Sequence, residues 1–296
     1  MSHLQPELKH QLINELKEDF SVLQMCEILN YPRSNYYYRE NSTFSKTKYE
    51  NIALTEVIKD IFEKSRRTYG IKRIHSELLA QGLAIGHNRI ARIKQENNIY
   101  PKIKRKYKQT TDSNHNNKVA PNLLNRDFNA KKPYQKLVSD ITYVSTLEGW
   151  LYLAVIIDLF NRKVVGWSMS DSLDAKIVSD SLTMAFSTNK KFESCIFHSD
   201  RGSQYTSEEI KNITQTLGLK QSMSRKGNCW DNSVAESFFK TLKYEGDIKR
   251  VFKTREEAKI SIFEFIEVFY NKKRRHSAIG YFTPDEFEVE YFQNVS

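Results

Sequence analysis

Three strand-length patterns follow one another closely in the second half of the chain. They cover residues 136–144, 150–159 and 163–169. Short turns at Glu148-Gly149 and at Asn161-Arg162 separate them, so the three patterns predict an antiparallel meander. Predicted helices and strands then alternate over residues 173–223. Strands followed by such an alternation indicate an α/β or α+β sheet with helices packed on its faces.

The first half of the chain has a helical pattern instead. Apolar residues recur at helical spacing over residues 8–40, and the same pattern returns over residues 51–100. The second region ends in a predicted helix over about 87–97, in which Ile90 and Ile93 face inward. The two regions predict two small helix-turn-helix modules, and the last helix has the character of a recognition helix.

Charge divides the chain at the same place. The chain has 46 Lys and Arg against 36 Asp and Glu, which gives a formal net charge of +10. Residues 1–132 hold 24 basic and 14 acidic side chains, whereas residues 133–296 hold 22 of each. A basic half predicts a polyanionic partner, and nucleic acid is the first candidate. A membrane-surface protein is the alternative, but the sequence lacks a long apolar run and a helix with a purely basic polar face.

Three sequence features bear on the cellular location of the protein. The first 20 residues are too charged for a signal peptide, and the longest apolar stretch, at 151–157, is only as long as a strand. The three cysteines are scattered and include no CxxC pair, which is typical of reduced thiols. These features predict a cytoplasmic protein.

Exposed side chains of the last helix in the helical half are candidates for DNA contact. They are His87, Asn88, Arg89, Arg92 and Lys94. The basic run at 101–108 adds Lys104, Arg105 and Lys106. An ordinary solvated surface is the alternative for both groups. The two helical modules and the localised excess of positive charge favour DNA binding.

Three acids occupy notable positions in the predicted α/β half. Asp140 lies within the first strand, where its neighbours are apolar and a buried carboxylate needs a partner. Asp200 closes the fourth strand and is followed by a glycine turn. Glu236 lies about one turn inside a helix that Asp231 or Asn232 can cap. On that helix we expect Ala235, Phe238, Phe239 and Leu242 to form the stripe that faces the core.

Such acids suit phosphodiester chemistry. In-line cleavage of DNA uses two divalent cations, and oxygen ligands such as two Asp and one Glu suit Mg²⁺. Lys240 and Lys243 share a helix face with Glu236, where they could hold DNA phosphates. A surface ladder of ion pairs is the alternative for this spacing.

The segments around the three acids resemble the DDE triad of retroviral-integrase-type transposases. Asp140 stands in Ser-Asp-Ile-Thr-Tyr, Asp200 in His-Ser-Asp-Arg-Gly-Ser-Gln-Tyr, and Glu236 in Asn-Cys-Trp-Asp-Asn-Ser-Val-Ala-Glu-Ser-Phe-Phe. The last two acids are separated by 35 residues, as in the family's D,D(35)E signature. The tail at 270–287 resembles the end of the integrase domain in the IS3 group of insertion sequences, especially its IS150-like branch. Tyr69-Gly-Ile-Lys-Arg-Ile74 resembles the second helix-turn-helix of the same proteins.

The resemblance covers nearly the whole chain and implies a fold and an activity. The implied fold is an α/β, RNase H-like catalytic domain preceded by all-α helix-turn-helix modules. Asp140, Asp200 and Glu236 would bind two Mg²⁺ or Mn²⁺ ions per active site. The implied reaction is cleavage at element ends, followed by strand transfer of a 3′-hydroxyl. The alternatives are a catalytically silent DNA-binding regulator and a nuclease of the same fold.

The resemblance also implies partners and a location. The partners are double-stranded DNA of the terminal inverted repeats and of the target, other copies of the chain, and the product of an upstream reading frame. Family transposases are usually frameshifted fusions, and this chain resembles the downstream product alone or a single-frame form. The location is the bacterial cytoplasm at the nucleoid.

We predict five parts along the chain. They are a small helical module at 1–48, a second helix-turn-helix module at 49–108, a linker at 109–132, the catalytic core at 133–250 and a helical extension at 251–296. Further predicted DNA contacts are Arg73, Lys240, Lys243, Arg274 and Arg275. The last two follow a predicted helix at 255–271, where interaction with the helix C-terminus is the alternative.

Three further residues draw attention without a catalytic prediction. Asp158 ends a predicted strand, and we expect it to be structural. His198 shares a strand face with Asp200, and we expect a hydrogen-bonded structural histidine. Trp230 precedes the Glu236 helix and is expected to anchor the entry to that helix by packing, with substrate contact as the alternative.

Overall fold

The sheet of this protein has five strands. In the computed structural model, which describes residues 5–41, 46–102, 119–187 and 194–295, the strand order is β3-β2-β1-β4-β5. The strands are β1 (Lys136–Thr146), β2 (Gly149–Asp158), β3 (Val164–Ser170), β4 (Ile196–Ser199) and β5 (Lys220–Met223). The first three pair antiparallel, and β4 and β5 run parallel to β1. The predicted meander is therefore confirmed.

Eleven α-helices accompany the sheet among the described residues. The first six are α1 (Pro6–Leu16), α2 (Val22–Ile28), α3 (Arg33–Asn41), α4 (Lys46–Lys64), α5 (Ile71–Ala80) and α6 (His87–Glu96). The others are α7 (Lys176–Ala185), α8 (Glu208–Thr216), α9 (Ser233–Glu245), α10 (Arg255–Phe263) and α11 (Pro284–Val295). A π-helical stretch, Glu264–Tyr270, continues α10, so the helix predicted to 271 changes its hydrogen-bonding pattern midway. No described helix is long and apolar enough to cross a membrane.

Both faces of the sheet are covered, as the strand sequences require. Successive side chains of a strand point to opposite faces, so a strand buried on both sides reads as a continuous apolar run. In β2, Leu153 and Val155 pack with α9 and α10, whereas Ala154 and Ile156 pack with α7 and α8.

Two local features fix how helices meet the sheet. At Gly166 in β3, a Cβ atom would lie 2.3 Å from the backbone oxygen of Ser181, so only glycine allows α7 to pack this closely. The predicted stripe on α9 is confirmed, because Ala235, Phe238, Phe239 and Leu242 are all buried. This stripe fixes the rotation of α9 about its axis, and Glu236 lies beside the buried face.

The chain divides into two compact units. One comprises Met1–Ile61 and Asn88–Ile99, and the other comprises Phe62–His87 and Tyr100–Ser296. In the first unit, α1 to α3 have a small core of their own. Its buried members are Ile13, Met25, Cys26, Leu29, Tyr31 and Tyr36. The second unit contains the sheet and also α5.

Candidate active site

Asp140 and Asp200 come together because of strand register. β4 runs parallel to β1, with Val138 opposite His198. Two residues further along, the same register brings Asp200 beside Asp140, since neighbouring parallel strands advance together. The Asp140 carboxylate accepts a hydrogen bond from the Ile141 N–H at 2.8 Å. The Asp200 carboxylate accepts one from the Gly202 N–H at 2.9 Å.

Asp200 and Glu236 both lie close enough to Asp140 to act on its carboxyl group. The pKa of its carboxyl is raised well above the ordinary value, first by burial and then by the negative charge of Asp200. Glu236 raises this pKa further, while the Ile141 N–H and the Lys243 ammonium lower it. The structure therefore brings together the three acids that the sequence singled out.

Glu236 lies in the first turn of α9 and is accompanied by two lysines. Lys240 Nζ lies 3.7 Å from Glu236 Oε2, and the Lys240 side chain is exposed. Lys243 is more buried, and burial lowers the pKa of its ammonium while Asp140 opposes that shift. Its Nζ lies 5.2 Å from the centre of the Tyr143 ring. The site thus has two cations on the same helix as one of its acids.

Tyr205 is a neighbour of the acids that the sequence reasoning did not select. Its side chain is buried, and its hydroxyl is hydrogen-bonded to Ser139 Oγ at 2.8 Å. The pKa of Tyr205 is raised well above its ordinary value by burial and by the charges of Asp140 and Asp200. Its position at the end of the Asp200 motif was the available signal.

The donor chemistry of the three acids fits divalent cations. Mg²⁺ in proteins is usually held by one or two carboxylates, and water and substrate phosphates complete its shell. Within the described part of the chain, no three His, Cys, Asp or Glu side chains form a ready metal-binding group. Asp140, Asp200 and Glu236 thus fit Mg²⁺ by the type of their donor atoms.

Two predictions about the start of α9 are wrong. No side chain caps this helix, because the Asp231 carboxylate binds arginines and the Asn232 amide reaches β1 instead. Trp230 does not anchor the helix by packing, since its side chain is 69% exposed.

Asp158 and His198 have the structural roles expected of them. The Asp158 carboxylate is buried and accepts hydrogen bonds from the N–H groups of Tyr134 and Phe160. His198 is also buried, and its two ring nitrogens are hydrogen-bonded to Ser222 and Ser224. Burial lowers the pKa of His198 to about 4.

The side chains predicted to contact DNA from α6 fall into three groups. His87, Asn88 and Arg92 are exposed. Arg89 is partly exposed, and it donates hydrogen bonds to the side chains of Asn51 and Glu50. Lys94 was expected on the outside and is instead buried, which lowers its pKa to about 8. Lys104, Arg105 and Lys106 lie outside the described residues.

Three other predicted DNA contacts take part in ion pairs inside the second unit. Arg274 is buried and binds Glu245 through two hydrogen bonds of 2.6 and 2.9 Å. Arg73 Nη1 lies 3.5 Å from the same carboxylate. Arg275 is buried too, with Nε 2.9 Å from Glu77 Oε1. Guanidinium groups held in this way stabilise the packing, and we assign Arg274 and Arg275 to that role rather than to DNA.

The sheet and its acid cluster define the class of the protein. Residues 130–229 and 217–284 match two families that are both described as Integrase core domain, and residues 48–107 match HTH-like domain. The fold is therefore the RNase H-like fold of integrase cores, whose enzymes are polynucleotidyl transferases, and helix-turn-helix modules precede it.

Two named proteins that are similar to this chain identify its family within this class. The insertion element IS600 uncharacterized 31 kDa protein of Shigella sonnei is 42% identical over 269 residues, which is 91% of this chain and 99% of the relative. The transposase InsF for insertion sequence IS3A of Escherichia coli (strain K12) is 38% identical over 283 residues, which is 95% of this chain and 98% of that protein. The chain therefore belongs to the IS3 family of insertion-sequence transposases, and it is a DNA-binding enzyme.

Solved integrase structures are similar to about half of the chain. The HTLV-2 integrase catalytic core domain in complex with magnesium, in its dimeric form, is similar over 53% of this chain and 98% of that chain. The sequence identity is 16% and the TM-score is 0.39. The family assignment rests on the relatives and the family matches.

Proposed function

We propose that Asp140, Asp200 and Glu236 form a DDE catalytic centre. It cleaves DNA at the ends of an insertion element and joins the resulting 3′-hydroxyl to target DNA. The observation that carries this proposal is that Asp200 and Glu236 both lie near Asp140, which strand register brings beside Asp200. Such clustering opposes folding, since the charges of Asp200 and Glu236 make ionisation of Asp140 more costly. Acids perturbed in this manner are characteristic of functional sites.

The three carboxylates would hold two Mg²⁺ or Mn²⁺ ions per active site. When bound, such ions activate the attacking hydroxyl and stabilise the leaving oxygen of an in-line displacement. Protons and metal ions compete for the Asp140 carboxylate, so its raised pKa makes metal binding depend on pH.

Lys240 and Lys243 provide positive charge beside the acids. Lys240 is exposed, and the charge of Lys243 interacts with that of Asp140. We assign both ammonium groups to DNA phosphates next to the scissile bond, where they would orient the reacting strand. A lysine acts on phosphate as a point charge, so these contacts carry no sequence specificity.

Recognition of DNA ends is assigned to α6. His87, Asn88 and Arg92 are exposed on this helix, which lies within the HTH-like match. Polar side chains on a recognition helix read base edges, and an arginine binds guanine or phosphate. The proposed ligands are the terminal inverted repeats and target DNA. Other copies of the chain and the product of an upstream reading frame are the proposed protein partners.

The test is a DNA cleavage and strand-transfer assay. Labelled DNA carrying the gene's own flanking repeats is incubated with Mg²⁺ and with the native chain, Asp200→Asn or Asp180→Asn. Asp180 is an exposed acid paired with Lys176, so its variant controls for loss of one carboxylate. We expect joined products from the native chain and from Asp180→Asn. We expect a loss of about 10³-fold or more in Asp200→Asn, because metal ions contribute several kcal/mol to such reactions.

The products separate the alternatives. Shortened fragments without joined strands would indicate a nuclease. Binding without either product, even after addition of the upstream partner, would indicate a catalytically silent regulator. Equal product yields from Asp200→Asn and the native chain would contradict the proposed triad.

A further inference from the structure

Nine residues lie between β5 and α9. They contact the residues next to Asp200 and Asp140, and they lead into the helix that carries Glu236. We call residues 224–232 the bridging segment. At its first residue, the Ser224 N–H donates to the Ser199 carbonyl at 2.9 Å. The Arg201 guanidinium donates through Nε to the Ser224 carbonyl at 2.6 Å. Ser199 and Arg201 flank Asp200, so one end of the bridging segment is fastened on both sides of that acid.

The other end of the bridging segment is fastened beside Asp140. The side-chain amide of Asn232 donates to the backbone carbonyl of Ser139 at 3.0 Å. Asn232 is 4% exposed, so water does not compete freely for this hydrogen bond. α9 begins at the next residue and carries Glu236 in its first turn. A single amide therefore links the start of the Glu236 helix to the strand that carries Asp140.

Between these ends, Asp231 holds the bridging segment in shape. Its carboxylate is fully buried and accepts five hydrogen bonds of 2.7–3.0 Å. Three come from Arg225, and Arg126 and Asn122 donate one each. These bonds hold the pKa of Asp231 well below its usual range. Asp231 is therefore a fixed anion that closes the bridging segment and ties it to the chain before β1.

We propose that Asp231 and Asn232 are positioning residues that set the distance of Glu236 from Asp140 and Asp200. This inference rests on the proposed function, since it concerns the geometry of the same acids. Two strands fix the mutual position of the aspartates through register, whereas Glu236 comes from a helix. The hydrophobic stripe of α9 fixes its rotation, and the buried Glu245–Arg274 ion pair holds its far end. Asn232 and the Asp231 cluster hold the end nearest the acids.

The test measures Mn²⁺ binding to the full chain without DNA, by the EPR signal of free Mn²⁺. Asn232→Ala removes the amide that reaches Ser139, and Asp231→Asn replaces the anion with a neutral group of the same size. Partners that orient metal ligands contribute about 10–100-fold in affinity, and we expect a loss of this size in both variants. Raised Mn²⁺ concentration should restore strand transfer, because the acids themselves remain.

Asn271→Ala is the matched control. Asn271 is also buried, and its side chain makes two 3.0 Å hydrogen bonds to the backbone of Val164, away from the acids. This variant should lose stability and keep native Mn²⁺ affinity at equal folded fraction. If Asn232→Ala fails to fold, Asp231→Asn carries the test.

Asp200→Asn separates the two proposals. If it loses Mn²⁺ binding while Asn232→Ala and Asp231→Asn bind like the native chain, the positioning role is overturned and the triad stands. Equal loss in Asn271→Ala and Asn232→Ala would also overturn positioning, since general packing would explain it. If Asp200→Asn binds Mn²⁺ like the native chain, the metal-binding triad fails, and with it the role of Asp231 and Asn232.

Discussion

At the scale of single residues, the charged neighbours of a carboxylate distinguish Asp140 from Asp231. The pKa of Asp140 is raised by burial and by two other acids, and Lys243 only opposes this shift. Asp231 is fully buried, but two arginines hold its pKa low. The cluster around Asp140 therefore has negative charge that a metal ion could neutralise, whereas arginines already neutralise Asp231. Sequence spacing identified Asp140 and missed this function of Asp231.

His198 makes the free energy of unfolding depend on pH, and this effect is independent of the acid cluster. The pKa of His198 is lowered from 6.5 to about 4 by burial, so the unfolded chain takes up a proton before the folded chain does. Its contribution is complete above pH 6.5 and is lost as the pH falls toward 4. The shift corresponds to roughly 3 kcal/mol of unfolding free energy across that window.

We therefore predict that His198→Gln unfolds with a weaker dependence on pH between 6.5 and 4. The measurement is urea unfolding of both proteins at several pH values, with the difference between them reported. His87→Gln removes an exposed histidine and serves as the control. Parallel curves for the native chain and His198→Gln would show that His198 does not titrate as its burial requires.

At the scale of elements, sequence periodicity predicted the strands and helices whose buried faces follow from local packing. The β1–β3 meander and the buried stripe of α9 follow from alternation and from helical spacing, and both are present. The cap predicted for α9 is absent because Asp231 binds Arg225 nearby, and also Arg126 and Asn122, which lie more than 100 residues earlier. The two distant contacts depend on tertiary structure, and no local pattern encodes them. The buried ion pairs of Arg274 and Arg275 were missed for the same reason.

The far end of α9 rests on one of those ion pairs. Glu245 is buried at the last residue of α9 and binds Arg274, which is buried too. We predict that Glu245→Gln lowers the free energy of unfolding by about 3–5 kcal/mol, because it leaves a buried guanidinium without its anion. Urea unfolding measures the loss.

Glu63→Gln is the control for this prediction. Glu63 pairs with Arg67 on the helix surface, where both side chains are more than half exposed. Exposed pairs contribute about 1 kcal/mol or less, so this variant should unfold close to the native chain. A loss in Glu245→Gln no larger than in Glu63→Gln would show that the buried pair is neutral for stability.

At the scale of the whole molecule, charge and chemistry are divided along the chain. The entire excess of positive charge lies in residues 1–132, and the three acids lie in the balanced remainder. Binding of DNA ends and reaction at the acids should therefore be separable by mutation. The sequence alone predicts this division, since charge and motif order need no tertiary information. It could not show which basic side chains are accessible, and Lys94 was misplaced for that reason.

Arg92 and Asp200 provide the test of this division. Arg92→Ala should weaken binding of end DNA and reduce the slope of log affinity against log salt by about 1, if the guanidinium contacts a phosphate. At saturating DNA its strand transfer should approach that of the native chain. Asp200→Asn should bind with native affinity and native slope yet form no joined product. Fluorescence anisotropy across a salt series measures DNA affinity and its slope, and the transfer assay measures joined product.

Each of the two variants is designed to remove one function only. If Arg92→Ala lost product at saturating DNA, or if Asp200→Asn lost affinity for DNA, binding and chemistry would be coupled and the division would be contradicted.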